Sequence, residues 1–304
     1  GYTTGANDFF YLDKEKIKLW KIETEYLKPV VTSPKDVGYE IRPEDINQYV
    51  LMVHESKEEL AKKGANVLKY IEWGENVETR IKGGRMGGST VKGYHNLSTV
   101  KSRKIWYSLG ERDPAPLLFS CKIWERPIFS LNNAKAQADK SFYEVHPDSK
   151  GDITLLAGTL NSVVTALLLE LHGRFYGGGV LELEVYESKK LPVLNPEELS
   201  ESERKRIEIA FIRLCDAQRK QNGKKEKKAK KELDDAVFDA LGLSKDERKQ
   251  VYEGLRALRD MRLRRKKVDV LVETEEKWKP PKRHGKRRSV LEEPYKRLDL
   301  WMRE

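Results

Sequence analysis

Charge divides this chain near residue 200, and that division limits the folds open to it. Residues 201–304 hold 32 Lys and Arg against 21 Asp and Glu, a net of +11. Residues 1–200 hold 27 against 28, a net of −1. Lys, Arg, Asp and Glu almost never become fully buried unless paired. A packed domain followed by highly solvated helices therefore fits better than one uniform globule. The 304 residues are 38% hydrophobic, enough for a real core but too polar for a membrane protein. The longest apolar stretch, 153–171, is broken by Gly158, Asn161, Ser162 and Glu170, so it reads as a buried helix rather than a span. No positively charged start leads into an apolar h-region, so no signal peptide is expected. Cys121 and Cys215 lie far apart without a CxxC and read as reduced thiols of a cytoplasmic protein. The start at Gly1 rather than Met predicts a fragment of a longer protein.

Composition shifts at Pro196. Before it, short strands are expected at 9–12, 28–31, 49–53, 104–107, 117–124, 142–145 and 180–185, with helices over 58–73 and 153–172. Gly173 suits the C′ position of the second helix. After Pro196 the period is helical: Ile207, Ala210, Phe211 and Leu214 form one stripe, Leu233, Val237, Phe238 and Leu241 a second. Ser244 and Glu247 make a capping box for a third helix with a basic end at Arg262–Lys267.

One local exception interrupts the near-neutral first two thirds. Between Glu78 and Glu111 there is no acid, while Arg80, Lys82, Arg85, Lys92, Lys101, Arg103 and Lys104 all fall there. Gly83, Gly84, Gly87 and Gly88 make part of it a flexible loop. A polyanion is the natural partner, because each neutralised phosphate releases a counterion. The neighbouring aromatics Tyr94, Trp106 and Tyr107 read as core residues rather than base-stacking platforms. Catalytic constellations are missing: the sequence has no GxGxxG, GxxxxGK[ST], GxSxG or HExxH. A nuclease would need clustered carboxylates; Glu182 and Glu184, beside Glu187, read instead as a solvated strand face.

Four ordered stretches carry a resemblance. Gly1-Tyr2-Thr3-Thr4-Gly5-Ala6-Asn7-Asp8-Phe9-Phe10 comes first, then Ser102 to Leu109, then Asn132-Asn133-Ala134-Lys135-Ala136 with Phe142 to Val145. The last is Leu156 to Ser162 followed by Leu171, Arg174, Gly177-Gly178-Gly179 and Leu191-Pro192-Val193. Together they resemble the C-terminal target recognition domain of TaqI-like N6-adenine DNA methyltransferases, related to Type I specificity subunits. The resemblance implies an α+β fold: an irregular β-rich target recognition domain with a buried helix over 1–196, a helical region over 197–267, and an extended basic tail over 268–304. It implies a sequence-specific DNA-recognition fragment that positions double-stranded DNA for an N-terminal catalytic domain of the same protein. The family's Asn/Asp-Pro-Pro-aromatic motif and S-adenosylmethionine loop are not in this sequence, since Asn195-Pro196-Glu197 lacks the second proline and Pro280-Pro281 lacks the flanking residues. No cofactor is therefore expected in this chain, and S-adenosylmethionine belongs to the parent enzyme.

The resemblance maps the DNA face onto Lys82–Lys104. Arg85, Lys101 and Arg103 lead, Lys82, Lys92 and Lys104 flank them, and Lys135 and Arg174 follow. Asn7 and the Gly177–Gly179 turn are assigned structural roles. The competing reading is an interaction scaffold whose helical stripes dock another restriction or phage-defence subunit.

Overall fold

The computed structural model describes residues 1–81, 88–147, 152–176 and 179–275. In chain order these form α1 (Asn7–Phe10), β1 (Tyr11–Asp13), α2 (Lys14–Trp20), β2 (Leu27–Val31), β3 (Glu40–Ile41), β4 (Gln48–Leu51), α3 (Lys57–Lys63), α4 (Asn66–Asn76), β5 (Glu78–Arg80), β6 (Thr90–Lys92), β7 (Leu117–Ser120) and β8 (Lys122–Ile123). They continue with β9 (Phe129–Asn132), β10 (Gln137–Ala138), β11 (Phe142–Val145), α5 (Ile153–Leu160), α6 (Val163–His172), β12 (Arg174–Tyr176), β13 (Val180–Glu182), α7 (Val185–Ser188), α8 (Glu201–Arg219), α9 (Gly223–Ala240) and α10 (Lys245–Glu275). The class is α+β, with the helical region in its expected place.

Among the described residues the strands make four small sheets, ordered β1-β4-β2-β10, β11-β7-β9-β3, β12-β13-β8 and β5-β6. The two parallel pairs join distant segments, with Val30 opposite Gln137 and Glu40 opposite Leu131. Apolar side chains gather accordingly. Phe9, Phe10, Tyr70 and Tyr94 centre one cluster, and Ile41, Leu118, Ala138 and Phe142 fill the space between the first two sheets. In the largest cluster Leu117, Phe119, Phe129 and Leu155 meet Ile207, Phe211 and Leu214 of α8 and Leu233 and Val237 of α9. The core therefore runs straight across the composition shift at Pro196. The stripe on α8 is covered by the chain itself.

Each polar interruption in the apolar run 153–171 turns out to be a docking point. Asn161 and Ser162 break the expected single helix into α5 and α6, bent by 62°. Asn161 donates to the carbonyls of Phe129 and Ala157, both at 2.8 Å, and accepts from the Phe129 amide at 3.0 Å. Ser162 caps α6. Gly158 lets α8 approach, because a Cβ there would stand 2.9 Å from Ile207 Cγ2. Replacing Gly158 with alanine should cost about 1–3 kcal/mol by overpacking, read from urea unfolding. Glu170 receives Arg262 of α10 in a forked pair, Nε to Oε2 at 3.0 Å and Nη2 to Oε1 at 2.7 Å. Asp234 of α9 accepts from the Val163 amide at 2.7 Å, satisfying a donor at the start of α6. No single helix is long and apolar enough to cross a membrane.

Several expectations need correction. Phe9–Leu12 is a helical turn followed by β1, because the Thr4–Asn7 turn, with Gly5 at φ 73°, winds on and buries Phe9 and Phe10 together. The helix expected over 58–73 is α3 and α4, separated at Gly64 with φ 65°. Residues 104–107 form turns rather than a strand, so that Trp106 and Tyr107 both pack inward without alternation. The strand expected over 117–124 breaks at Cys121 into β7 and β8. Gly173 is extended at φ −76° and not left-handed. Its small size serves packing instead, since a Cβ would lie 2.4 Å from Leu181 Cδ1. α10 runs on to Glu275 where extended chain was expected from 268. Gly177, Gly178 and residues 276–304 lie outside the described residues.

One carboxyl pair predicts a pH dependence. Asp152 caps α5, accepting from the amides of Thr154 at 2.8 Å and Leu155 at 3.2 Å. Burial and then the adjoining Asp152 raise the Glu208 pKa. For Asp152, burial acts upward but is outweighed by the Leu155 amide, Glu208 and Thr154, so its pKa falls. The folded state thus binds the Glu208 proton more tightly than the unfolded chain. That contribution is complete below the unfolded pKa and disappears as pH rises through the folded one. Glu208→Gln keeps a donor at all pH values. Its Tm should exceed that of the wild type at pH 7, with the gap closing toward pH 4. A gap independent of pH would remove the shared proton from the account.

Candidate nucleic-acid interface

The acid-free segment begins as a hairpin. Thr79 pairs with Val91 at its centre, flanked by Glu78 opposite Lys92 and Arg80 opposite Thr90. β-branched residues suit such strands. Alternation turns Thr79 inward and leaves Glu78, Arg80, Thr90 and Lys92 exposed on one face. The pairing continues beyond the strands, with the Gly88 amide on Ile81 O at 3.0 Å and the Ile81 amide on Ser89 O at 2.8 Å. Gly93, at φ 78°, closes the base, where a Cβ would meet Glu75 O at 2.4 Å. Lys82 and Arg85 lie outside the described residues.

Beyond the hairpin the chain coils through tight turns, with the Lys101 amide on Leu97 O at 2.9 Å and the Arg103 amide on Val100 O at 3.0 Å. Val100 and Tyr107 bury on the inner side while Lys101 and Lys104 stand exposed. Arg103 turns inward. Its Nη2 donates to the carbonyls of Thr3 at 3.1 Å and Thr4 at 2.7 Å, and its guanidinium lies over the Phe10 ring at 5.5 Å. Burial lowers its pKa, although a guanidinium keeps its charge. Thr99 Oγ1 adds a bond to Gly5 O at 2.7 Å. This stretch therefore anchors the N-terminal turn. Arg103→Ala should cost stability, about 1–3 kcal/mol for carbonyls left short of a donor.

The aromatics belong to the core, as expected from the large apolar area such rings bury. Trp106 lies 4.6 Å from Phe9 between ring centroids and donates Nε1 to Glu75 Oε1 at 2.9 Å. Tyr107 donates to Glu55 O at 2.9 Å. Burial pushes the Glu75 carboxyl up, but hydrogen bonds from Lys57 and Trp106 hold it below its ordinary range. Asn7 has a local role, since its carboxamide oxygen accepts from the Thr4 hydroxyl.

Lys135 and Arg174 stand elsewhere. Lys135 occupies a left-handed position, φ 50°, in the exposed turn between β9 and β10. Buried Asn132 holds that turn through Ala115 O at 2.8 Å, Ala136 O at 2.9 Å and the Ala136 amide at 3.0 Å. Arg174 opens β12, donates Nε to Glu187 Oε1 at 2.6 Å and lies over the Tyr186 ring at 5.4 Å. Of the cations expected at a DNA face, Lys92, Lys101 and Lys104 are exposed on one continuous segment, joined by Arg80 on the hairpin face. Arg80 was legible in the acid-free count but was not among the expected site residues. Among the described residues no three His, Cys, Asp or Glu side chains gather in a way that could hold a metal.

Comparison with known proteins adds a family to this geometry. The chain is 25% identical over 203 residues to the Type II methyltransferase M.AccI of Acinetobacter calcoaceticus, covering 62% of this chain and 34% of that protein. It is 30% identical over 103 residues to the Type II methyltransferase M.XamI of Xanthomonas campestris pv. amaranthicola, covering 33% and 19%. The chain thus spans about a third or less of the length of these curated relatives. Among solved structures, the type IIG restriction endonuclease BpuSI superposes with a TM-score of 0.45 at 14% identity, covering 77% of this chain and 29% of that one. The family described as "Type II methyltransferase M.Eco57I, C-terminal domain" matches residues 1–237, so the chain belongs to that family of Type II methyltransferase C-terminal domains.

Proposed function

We propose that this chain is the target recognition part of an adenine-specific N6 DNA methyltransferase, of the TaqI-like kind and akin to Type I specificity subunits. It contacts duplex DNA and presents it to a catalytic domain of the same cytoplasmic protein. S-adenosylmethionine and methyl transfer belong to that other domain, because this chain has neither the cofactor loop nor the Asn/Asp-Pro-Pro-aromatic motif. The observation that carries the reading is the segment from Thr79 to Gly110, which holds no acid and exposes Arg80, Lys92, Lys101 and Lys104 on a Type II methyltransferase C-terminal domain, with Glu78 opposite Lys92 at its edge. Exposed cations of this kind contact phosphate and fix register, and Lys82 and Arg85, read from the sequence alone, are the cations assigned to base edges in this proposal.

Mobility shifts with duplex DNA at low salt test this. The combined Lys92→Ala, Lys101→Ala and Lys104→Ala variant should bind more weakly on every sequence, with the slope of log K against log salt shallower by about 0.9 per lost phosphate contact. Arg85→Ala should cost about 1–3 kcal/mol on the preferred site alone if it pairs with a base. Unchanged affinity in both variants would remove this segment from the interface.

A further inference from the structure

The helical third carries a second basic surface with a different design. α9 buries Ala229, Leu233, Ala236 and Val237, and it exposes Lys224, Lys225, Lys227, Lys228 and Lys231 to solvent. On α10 Lys245, Lys249 and Arg256 are exposed at helical spacing. The two helices touch where the Phe238 and Tyr252 rings meet edge to face at 5.7 Å. The Tyr252 hydroxyl donates there to Asp234 Oδ2 at 3.1 Å, and Arg248 Nη2 donates to Asp239 Oδ1 at 2.5 Å. Beside that contact lies an open groove of about 500 Å³, lined by Lys231, Lys245, Lys249 and Arg256 with Asp235 and Glu253 between them.

The electrostatics of this groove suit a chain of phosphates. Its two acids are each engaged by a lysine one helical turn away, Asp235 by Lys231 at 2.5 Å and Glu253 by Lys249 at 3.8 Å. Exposed pairs of this kind are worth under about 1 kcal/mol and exchange readily for another anion. Lys224, Lys225, Lys227, Lys245 and Arg256 make no side-chain hydrogen bond or ion pair among the described residues, so their charge is available. Lys224, Lys228 and Lys231 recur along one face of α9. At 1.5 Å per residue they span about 10 Å. That matches about three nucleotides at 3.4 Å of rise along one strand. Lysines act as point charges on phosphate without the fork that reads bases, and the groove offers Tyr252 only by its edge contact with Phe238.

We propose that the α9–α10 groove, together with the exposed lysine face of α9 that leads into it at Lys231, holds the phosphate backbone of duplex DNA flanking the recognised site, supplying affinity without sequence preference. The proposal rests on the DNA-recognition reading given above. It assigns the exposed lysines of α9 and the groove cations of α10 to non-specific grip.

The test uses the full chain and fluorescence anisotropy with a 30-base-pair duplex of arbitrary sequence across a salt series. One variant carries Lys224→Gln, Lys227→Gln, Lys228→Gln and Lys231→Gln, and a second carries Lys245→Gln, Lys249→Gln and Arg256→Gln. Each should make the slope of log K against log salt shallower by about 2–3, at about 0.9 per phosphate contact. Affinity at low salt should fall about tenfold or more in each. Preference for one sequence over another should not change, whereas the Lys92, Lys101 and Lys104 variant weakens binding through the other surface. Wild-type slopes in both groove variants, with DNA still bound, would overturn the groove and leave the recognition reading intact. No duplex binding by the wild-type chain at any salt would overturn both. Loss of binding to single-stranded RNA or polyglutamate without loss on duplex DNA would also overturn the proposal. The two variants touch different helices, so partial unfolding of one leaves the other as the test.

Discussion

Arg262→Ala is expected to destabilise this chain by about 3–5 kcal/mol, the cost of stranding a buried charge. Arg262 is 1% exposed and Glu170 3% exposed, so neither reaches water. The forked pair is completed by Nη1, which donates to Trp124 O at 2.8 Å and Gly179 O at 2.5 Å. One side chain of α10 thereby ties α6 and the ends of β8 and β13 together. Truncating it leaves two carbonyls without donors and the Glu170 carboxylate with only the longer ion pair to Arg259 Nε at 3.6 Å. Arg262→Lys should also lose much of this, because one ammonium cannot span four acceptors. The double variant Glu170→Leu, Arg262→Leu should recover most of the loss, since a buried pair replaced by apolar volume is often neutral. Urea unfolding of the three variants checks the set. A loss under 1 kcal/mol for Arg262→Ala would mean that α10 does not dock here.

The basic cluster Arg262–Lys267 shows where sequence reading stops. Clustered cations at a helix end look like one solvated face, and nothing local marks Arg262 as interior. Its partner, Glu170, is 92 residues away inside an apolar run. Arg103 has equally distant partners, because its charge sits in an acid-free segment while its acceptors are the carbonyls of Thr3 and Thr4. What was legible followed from local rules. The β2, β4 and β11 strands, the cap at Ser244 and the apolar stripes of α8 and α9 all lie close to where pattern and capping placed them. The parallel pairings of β2 with β10 and β3 with β9 have no local signature, since their register is set by packing between distant segments. The candidate DNA face was legible as an absence of acids. Which of its cations face solvent depended on turns that the sequence pattern had suggested as a strand.

Phe211→Ala should cost about 3–5 kcal/mol and should loosen the first two thirds of the chain as well as the helices. Charge and composition change near Pro196, yet Phe211 is 0% exposed in the same cluster as Leu117, Phe119 and Phe129. Its ring meets Tyr39 edge to face at 6.5 Å, and its Cβ stands against Gly158 of α5. α8 also reaches back through Gln218, whose carboxamide accepts from the Tyr39 amide at 2.8 Å, and through the forked pair of Arg219 with Asp45 at 3.0 and 2.8 Å. Removing the ring leaves a cavity that the β7–β9 sheet and α5 cannot both collapse to fill. Hydrogen exchange distinguishes a shared core from two adjoining modules. In a shared core the amides of β7 and β9 lose protection together with those of α8, because they open in one cooperative unit. If α8 frays while Leu118 and Leu131 keep wild-type protection, the helical region is an independent module, and the basic groove on α9 and α10 would act as an appendage to the reader rather than as part of the same rigid body.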